Sequence, residues 1–200
     1  MSDNTGVELV MLDPACTGRD ARDLIEEAVD GGFSAVCLPP TLFPVRDVPE
    51  TVRLVAAAGY PSGKHHPLVK ASEAHMAVVN GAQEVHAVLD ASNVVAADGN
   101  AMISEIVTLR EAVPYPAVLR VSPGEYGADV PDTAPDTAPG TAAGDRVRAF
   151  CRAAVTAGAD MVSAGSGHEA SLMLEAVQGT NVTVTAPVRL PGVARVTVHR

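Results

Sequence analysis

Short runs of valine, alanine and leucine recur about every 25 to 30 residues along this chain, and most are separated by stretches whose apolar residues follow helical spacing. Runs that are apolar on both faces need burial on both sides, which a parallel sheet covered by helices provides. Strands are expected at residues 7–12, 34–38, 53–58, 84–89, 116–121, 160–163 and 181–185, with an eighth at 194–199. Helices are expected at 19–30, 67–80, 100–113, 146–157 and 169–178, with a short helical stretch at 44–51. In the first of these, Ala21, Leu24, Ile25, Ala28 and Val29 form the apolar face, and Gly31-Gly32 ends it. The strand count predicts an α/β fold of the TIM (β/α)8 barrel type in a single domain over residues 1–200.

Two segments depart from that pattern. Residues 129–144 contain a Pro-Asp-Thr-Ala duplication and almost no large apolar side chain, so a disordered loop is expected there. Only about eight residues, Ala186 to Val193, separate the last two strands, and they include Pro187, Pro191 and Gly192. A parallel crossover usually takes about 10–12 residues with a helix. The barrel is therefore expected to be truncated or incompletely closed at its C-terminal end. Its open edge, with one face of Val182, Val184, Val196 and Val198 poorly covered, is expected to seek a partner over residues 181–200.

Composition narrows the function classes. Of 200 residues, 47% are hydrophobic and only 3% aromatic, with no tryptophan, which suits a core of small branched side chains. The net charge of -10 argues against nucleic acid, whose binding calls for a basic surface. No apolar run is long enough for a membrane span, and no leader is visible at the N-terminus. Cys16, Cys37 and Cys151 are odd in number, widely spaced and in no ligand pattern, so reduced thiols and a cytoplasmic location are expected.

Several motifs occur in a telling order. They are Leu12-Asp13-Pro14-Ala15-Cys16-Thr17, then Ala35-Val36-Cys37-Leu38-Pro39-Pro40, then Gly59-Tyr60-Pro61-Ser62-Gly63. Lys70-Ala-Ser-Glu73-Ala, Gly81-Ala-Gln-Glu84-Val-His86 and Ala157-Gly-Ala-Asp-Met-Val-Ser163-Ala-Gly165-Ser166-Gly167 follow. This series resembles the deoxyribose-phosphate aldolase family over residues 9–167, and the resemblance implies a class I aldolase on a TIM barrel. The departures fall on the chemistry that the resemblance implies. Ser163 stands where the family has its Schiff-base lysine, His86 where it has a proton-relay aspartate, Arg120 where it has a strand-five lysine, and Thr185 where it has the lysine that tunes the reactive amine. Pro187-Val188 replaces a Gly-Gly, and the final Gly-Ser-Ser phosphate loop is missing. Serine cannot form an iminium with a carbonyl, so covalent aldol chemistry loses its electron sink.

The expected site is accordingly Asp13, His86, Arg120, Ser163 and Thr185, with Gly165, Ser166, Gly167 and His168 as the remaining phosphate-binding turn. Neither a metal nor a cofactor is expected, because the histidines, including His65-His66, form no short ligand motif. Cys37, flanked by apolar residues, reads as a structural thiol and Lys70 as a surface charge. The leading expectation is an inactive relative that binds a small phosphorylated ligand or assembles with itself or another aldolase-like subunit. The alternative is an active lyase of the family that uses Asp13 and His86, or a relocated Lys64 in the loop after the third strand.

Overall fold

The computed structural model describes residues 4–124 and 143–200. Its strands are β1 (Val7–Val10), β2 (Ala35–Leu38), β3 (Arg53–Ala58), β4 (Glu84–Val88), β5 (Val118–Ser122), β6 (Met161–Ser163), β7 (Thr183–Ala186) and β8 (Val193–His199). Helices α1 (Gly18–Gly31), α2 (Pro67–Val79), α3 (Ala91–Val95), α4 (Gly99–Ala112), α5 (Ala143–Ala157) and α6 (Gly167–Ala176) lie between them. All eight neighbouring strand pairs are parallel and the sheet closes on itself in chain order. This is a TIM barrel. No helix among the described residues is long and apolar enough to cross a membrane.

Local chemistry explains the element ends. Thr17 caps α1 through a reciprocal pair with Asp20, in which Thr17 Oγ1 accepts from the Asp20 amide and the Asp20 carboxylate accepts from the Thr17 amide. Gly32 closes the same helix in the left-handed region at φ 69°. The buried face of α1 is Ala21, Leu24, Ile25 and Ala28, which pack with Leu9, Val36 and Leu54 on the outer wall of the barrel.

Three expectations are corrected. The sheet edge anticipated over residues 181–200 does not exist: β8 pairs with β1 from Val7↔Val196 to Val10↔His199 and with β7 from Val184↔Val193 onward. The short link suffices because β8 begins level with the second residue of β7, so residues 187–192 need not retrace a whole strand, and six residues reach up to about 20 Å when extended. A register shift at Val184/Thr185 absorbs the misfit. The short connection does lack a helix, and the outer face of β8 shows it, with Val196 and Val198 only half-buried while Val182 and Val184 are buried.

The helical stretch expected at 44–51 is absent, replaced by a 3₁₀ turn at Pro40–Leu42 and irregular backbone. Pro44 and Pro49 each lack the N–H that a helix would use, and Asp47 adopts φ 59°. The loop expected at 129–144 lies outside the described residues except for Ala143 and Gly144, which open α5.

Lys70 is the third correction. It is fully buried rather than a surface charge, with Nζ donating to the carbonyls of Gly63 (2.6 Å) and Val88 (3.1 Å) and pairing with buried Glu105 of α4. Its neighbour on the same helix face, Glu73, accepts the Gly59 amide at 2.8 Å. The Lys70-x-x-Glu73 pattern thus ties down both ends of the Gly59–Gly63 loop from behind the barrel. The fit leaves no space, since a Cβ at Gly59 would lie 2.4 Å from Lys70 Cδ.

Replacing Lys70 with alanine strands the Glu105 carboxylate, whose own pKa burial already pushes up against the opposing pull of the lysine. The expected cost is about 3–5 kcal/mol, as for other broken buried pairs. In urea unfolding, Lys70→Met combined with Glu105→Leu should recover most of that loss. A loss below about 1 kcal/mol for Lys70→Ala would instead fit a surface pair.

Candidate functional site

The barrel interior is divided. On one side Val10, Ala35, Cys37, Val55 and Ala57 pack as a small apolar cluster. On the other, two glutamates and two arginines from four strands form a closed ionic lattice. Arg120 of β5 holds Glu8 of β1 in a two-pronged bond at 2.7 and 3.0 Å, and its Nε lies 3.3 Å from Glu84 of β4. Arg195 of β8 donates to Glu8 at 2.8 Å and to both oxygens of Glu84 at 2.9 Å. Glu8, Glu84 and Arg120 are completely buried. Burial by itself would raise the Glu8 pKa, but Arg120 and Arg195 outweigh it and hold the carboxyl below its ordinary range. For Arg120, burial works against the charged form and the two glutamates more than offset it.

Above this lattice a cavity of about 330 Å³ opens at the C-terminal ends of the strands. Glu8, Val10 and Leu12 line it from β1 and its loop, Tyr60 and Pro61 from the loop after β3, and His86 and Val88 from β4. Ser122, Pro123 and Gly124 follow from β5, then Ser163, Ala164, Gly165 and Glu169 around β6 and α6, Pro187 after β7, and Thr197 and His199 from β8. This is the face on which barrel loops converge.

Of the expected residues, His86, Ser163 and Gly165 line this cavity together. Arg120 is locked in the ionic lattice and does not line it. Thr185 pairs in register with Ser163 but is fully buried, and its Oγ1 has no hydrogen-bond partner among the described residues. Asp13 is exposed on the turn after β1, accepts the Ala15 amide at 2.7 Å, and lines a neighbouring pocket with Thr41 and Arg200. The two pockets share Leu12, Tyr60, Pro61 and His199. His168 is exposed on α6 outside the cavity lining, and Ser166 caps that helix by accepting the Glu169 amide at 3.1 Å. The Gly165 amide donates at 2.7 Å to the buried carboxylate of Glu169, so an internal anion already holds it.

His86 carries the clearest electrostatic signature. Burial first, and the Arg120 cation second, drive its pKa down to about 3, against a smaller opposing pull from Glu8. It is therefore a neutral imidazole at physiological pH, and its Nε2 has no hydrogen-bond partner among the described residues. Cys37 is likewise inert, since burial pushes its thiol far above its ordinary pKa. His66 caps α2 by accepting the Leu68 amide at 3.2 Å, and neither it nor His65 lines either pocket.

Both lysines are committed elsewhere. Lys70 lies behind the barrel, and Lys64 is bound to Asp90 at 2.7 Å and Ser92 at 2.8 Å, outside both pockets. Glu8, Glu84, Arg195 and Glu169 were not anticipated from the sequence. The available signal was a charge flanked by apolar residues within short strands (Val7-Glu8-Leu9 and Ala194-Arg195-Val196), where a parallel strand tolerates a charge only if another strand pairs it.

No family model matches the chain. Among curated proteins, a deoxyribose-phosphate aldolase of Nocardia farcinica is 38% identical over 182 residues, covering 86% of this chain and 75% of that protein. The chain belongs to the deoxyribose-phosphate aldolase family. A second relative, the deoxyribose-phosphate aldolase of Corynebacterium jeikeium, is 37% identical over 169 residues, and the match spans 80% of this chain but 62% of that protein. Among solved structures, the tetrameric deoxyribose phosphate aldolase of Aeropyrum pernix has the same fold, with a TM-score of 0.78 at 21% identity, covering 96% of this chain and 85% of that one.

The low pKa of His86 has a measurable consequence. Unfolding raises it toward about 6.5, so the unfolded chain takes up the proton first and stability falls as pH drops from about 6.5 toward 3. Glu8, whose folded pKa is depressed, adds a loss of the same sign at the acid end. His86→Gln, neutral throughout, should flatten the part of the profile between about pH 4 and 6.5. Unfolding free energies measured across that range with unchanged slope in the variant would show that His86 is charged in the folded protein.

Proposed function

We propose that this member of the family works without a Schiff base, as a pseudoenzyme in the aldolase sense that binds a small ligand at the barrel mouth or a partner subunit. The observation that carries this reading is the placement of the two lysines of the chain. Lys64 is held by Asp90 and Ser92, Lys70 is buried behind β4 against Glu105, and among the described residues no lysine lines the cavity. Covalent aldol chemistry needs a neutral amine within bonding reach of the carbonyl. Ser163 supplies a hydroxyl at the position where the resemblance implies the amine. The relatives' name makes deoxyribose 5-phosphate the reference ligand, and a small phosphorylated compound is the class that the resemblance implies.

The alternative, an active lyase through Asp13 and His86, is supported by the presence of His86 in the cavity wall. Against it, a histidine with a pKa of about 3 is a weak base at neutral pH, and Asp13 faces the adjoining pocket. Incubation with deoxyribose 5-phosphate, followed by borohydride reduction and mass spectrometry, tests both readings. No retro-aldol turnover and no adduct are expected. Turnover in the usual enzyme range of about 1–10³ s⁻¹ would overturn the proposal. Its loss in Lys64→Ala would then identify a relocated amine.

A partner subunit is supported by a different surface from the one the sequence suggested. Leu68, Val69, Met76 and Val79 of α2 are each more than half exposed, as an apolar stripe on one helix. Self-association through this stripe should weaken at least tenfold in Met76→Glu, read by sedimentation equilibrium. The free thiols Cys16, Cys37 and Cys151 suit a reducing, cytoplasmic setting.

A further inference from the structure

The two sides of helix α2 differ in kind. Its inward side carries the two formally charged residues of the helix, and both are bonded within the protein. Lys70 is held by Glu105 and the carbonyls of Gly63 and Val88, and Glu73 accepts the Gly59 amide. The outward side is Leu68, Val69, Ser72, His75, Met76 and Val79, all exposed, with no acid, lysine or arginine among them. On a chain with a net charge of -10, an exposed helix face free of carboxylates lets two copies meet without setting like charges against each other.

The serine in this face can be covered without loss. Ser72 Oγ donates to the Leu68 carbonyl of its own helix at 2.8 Å, so a partner lying over it strands no hydroxyl proton. Asn80, at the end of the helix, likewise turns back and donates to the Met76 carbonyl at 2.8 Å.

The order of the residues fits a second copy of the same helix. Val69, Ser72, Met76 and Val79 follow the alternating three- and four-residue spacing of a helix–helix seam. They are also symmetric about position 74: Val69 and Val79 lie five residues to either side of it, and Ser72 and Met76 two. An antiparallel pair with its two-fold axis beside residue 74 therefore sets Val69 against Val79 of the other copy, and short Ser72 against long Met76. A specific interface takes about 800 Å² from each partner, more than four side chains of one helix supply. Exposed Val107 of α4, the helix packed against α2, and Tyr115 just beyond it extend the apolar surface, and the Tyr115 ring is 72% exposed.

We infer that two copies of this chain pair antiparallel across α2, with Val69 of each copy on Val79 of the other and Ser72 on Met76. The inference rests on the partner-binding part of the proposed role and commits it to self-association. The same helix then holds the cavity rim with one side, through Lys70 and Glu73, and the second copy with the other.

Sedimentation velocity of the full chain at micromolar concentration should show a dimer. Disulfide trapping reads the register. Ser72→Cys and Met76→Cys chains are oxidised alone and as an equal mixture, each in a Cys16→Ser background because Cys16 is the one native thiol that is not buried. Helices packed about 8–10 Å apart bring facing Cα atoms within the span of a disulfide, so the mixture should give at least about fivefold more covalent dimer than either variant alone. In reducing buffer, Ser72→Lys and Met76→Glu should each dimerise at least about tenfold more weakly, and mixing the two should restore affinity to within about threefold of the unaltered chain. Equal covalent yields in the three oxidised samples overturn the register, and a monomer throughout the micromolar range overturns the pairing. The sedimentation result for the unaltered chain stands even if a variant folds poorly. Borohydride trapping on the same samples keeps the two claims separate: an adduct refutes the non-covalent role and leaves the pairing standing, whereas a monomer without an adduct refutes only the pairing.

Discussion

Four charged side chains in the barrel interior constrain nearly everything else in this structure. Glu8, Glu84, Arg120 and Arg195 come from β1, β4, β5 and β8; the Arg120–Glu8 and Arg195–Glu84 bonds cross the barrel, while Arg195–Glu8 and Arg120–Glu84 link the neighbouring strand pairs β8/β1 and β5/β4. Placing such charges away from water is expensive, and the cost is recovered only when each finds partners in good geometry. Arg195 has a particular share in this. It ties the last strand, whose outward Val196 and Val198 are only half-buried, to β1 and β4 at once. The closing strand is thereby held through the middle of the barrel as well as by backbone pairing with β1 and β7. Because the lattice is charge-balanced, it can fill the interior.

That balance sets the character of the cavity above it. Burial and a neighbouring guanidinium keep His86 neutral, and the guanidiniums themselves are bonded to glutamates. On the far wall, Glu169 folds back from the first turn of α6 onto the Gly165 amide, so the backbone donor at the end of β6 is spent within the protein. Chemistry that depends on an amine has little to work with here. Hydrogen bonding remains well provided for by His86, Ser122, Ser163 and Thr197.

The rim of the same cavity depends on a second buried ion pair outside the barrel. Lys70 and Glu73 of α2 reach the two ends of the Gly59–Gly63 loop, which carries Tyr60 and Pro61 to the cavity wall. Gly63 is required there in the strict sense: it has φ 67°, and a Cβ would fall 2.0 Å from the Leu89 carbonyl oxygen. A lysine that might have served chemistry is thus used as a strut.

Much of the architecture was legible in the sequence because strand and helix periodicities are local. The runs at 34–38, 53–58, 84–89 and 160–163 lie at β2, β3, β4 and β6 to within a residue or two, and the resemblance placed His86, Ser163 and Gly165 on one face. Distant relations were not legible. Residues 187–192 look too short for a crossover until the stagger of β8 against β7 is known, since the distance to be spanned depends on register and not on residue count. Lys70 shares the buried stripe of α2 with Ala71, Ala74 and Ala77, but its charge points to the surface until the approach of α4, which brings Glu105, is known. Glu8 and Arg195 lie 187 residues apart and meet only because closure of the barrel sets β8 beside β1, which neither segment encodes alone. Hydrophobic periodicity and turn chemistry therefore determined the barrel, while the pairing of its buried charges, and with it the electrostatics of the cavity, was decided only by the tertiary structure, because the energy of a buried charge depends on partners that sequence proximity does not reveal.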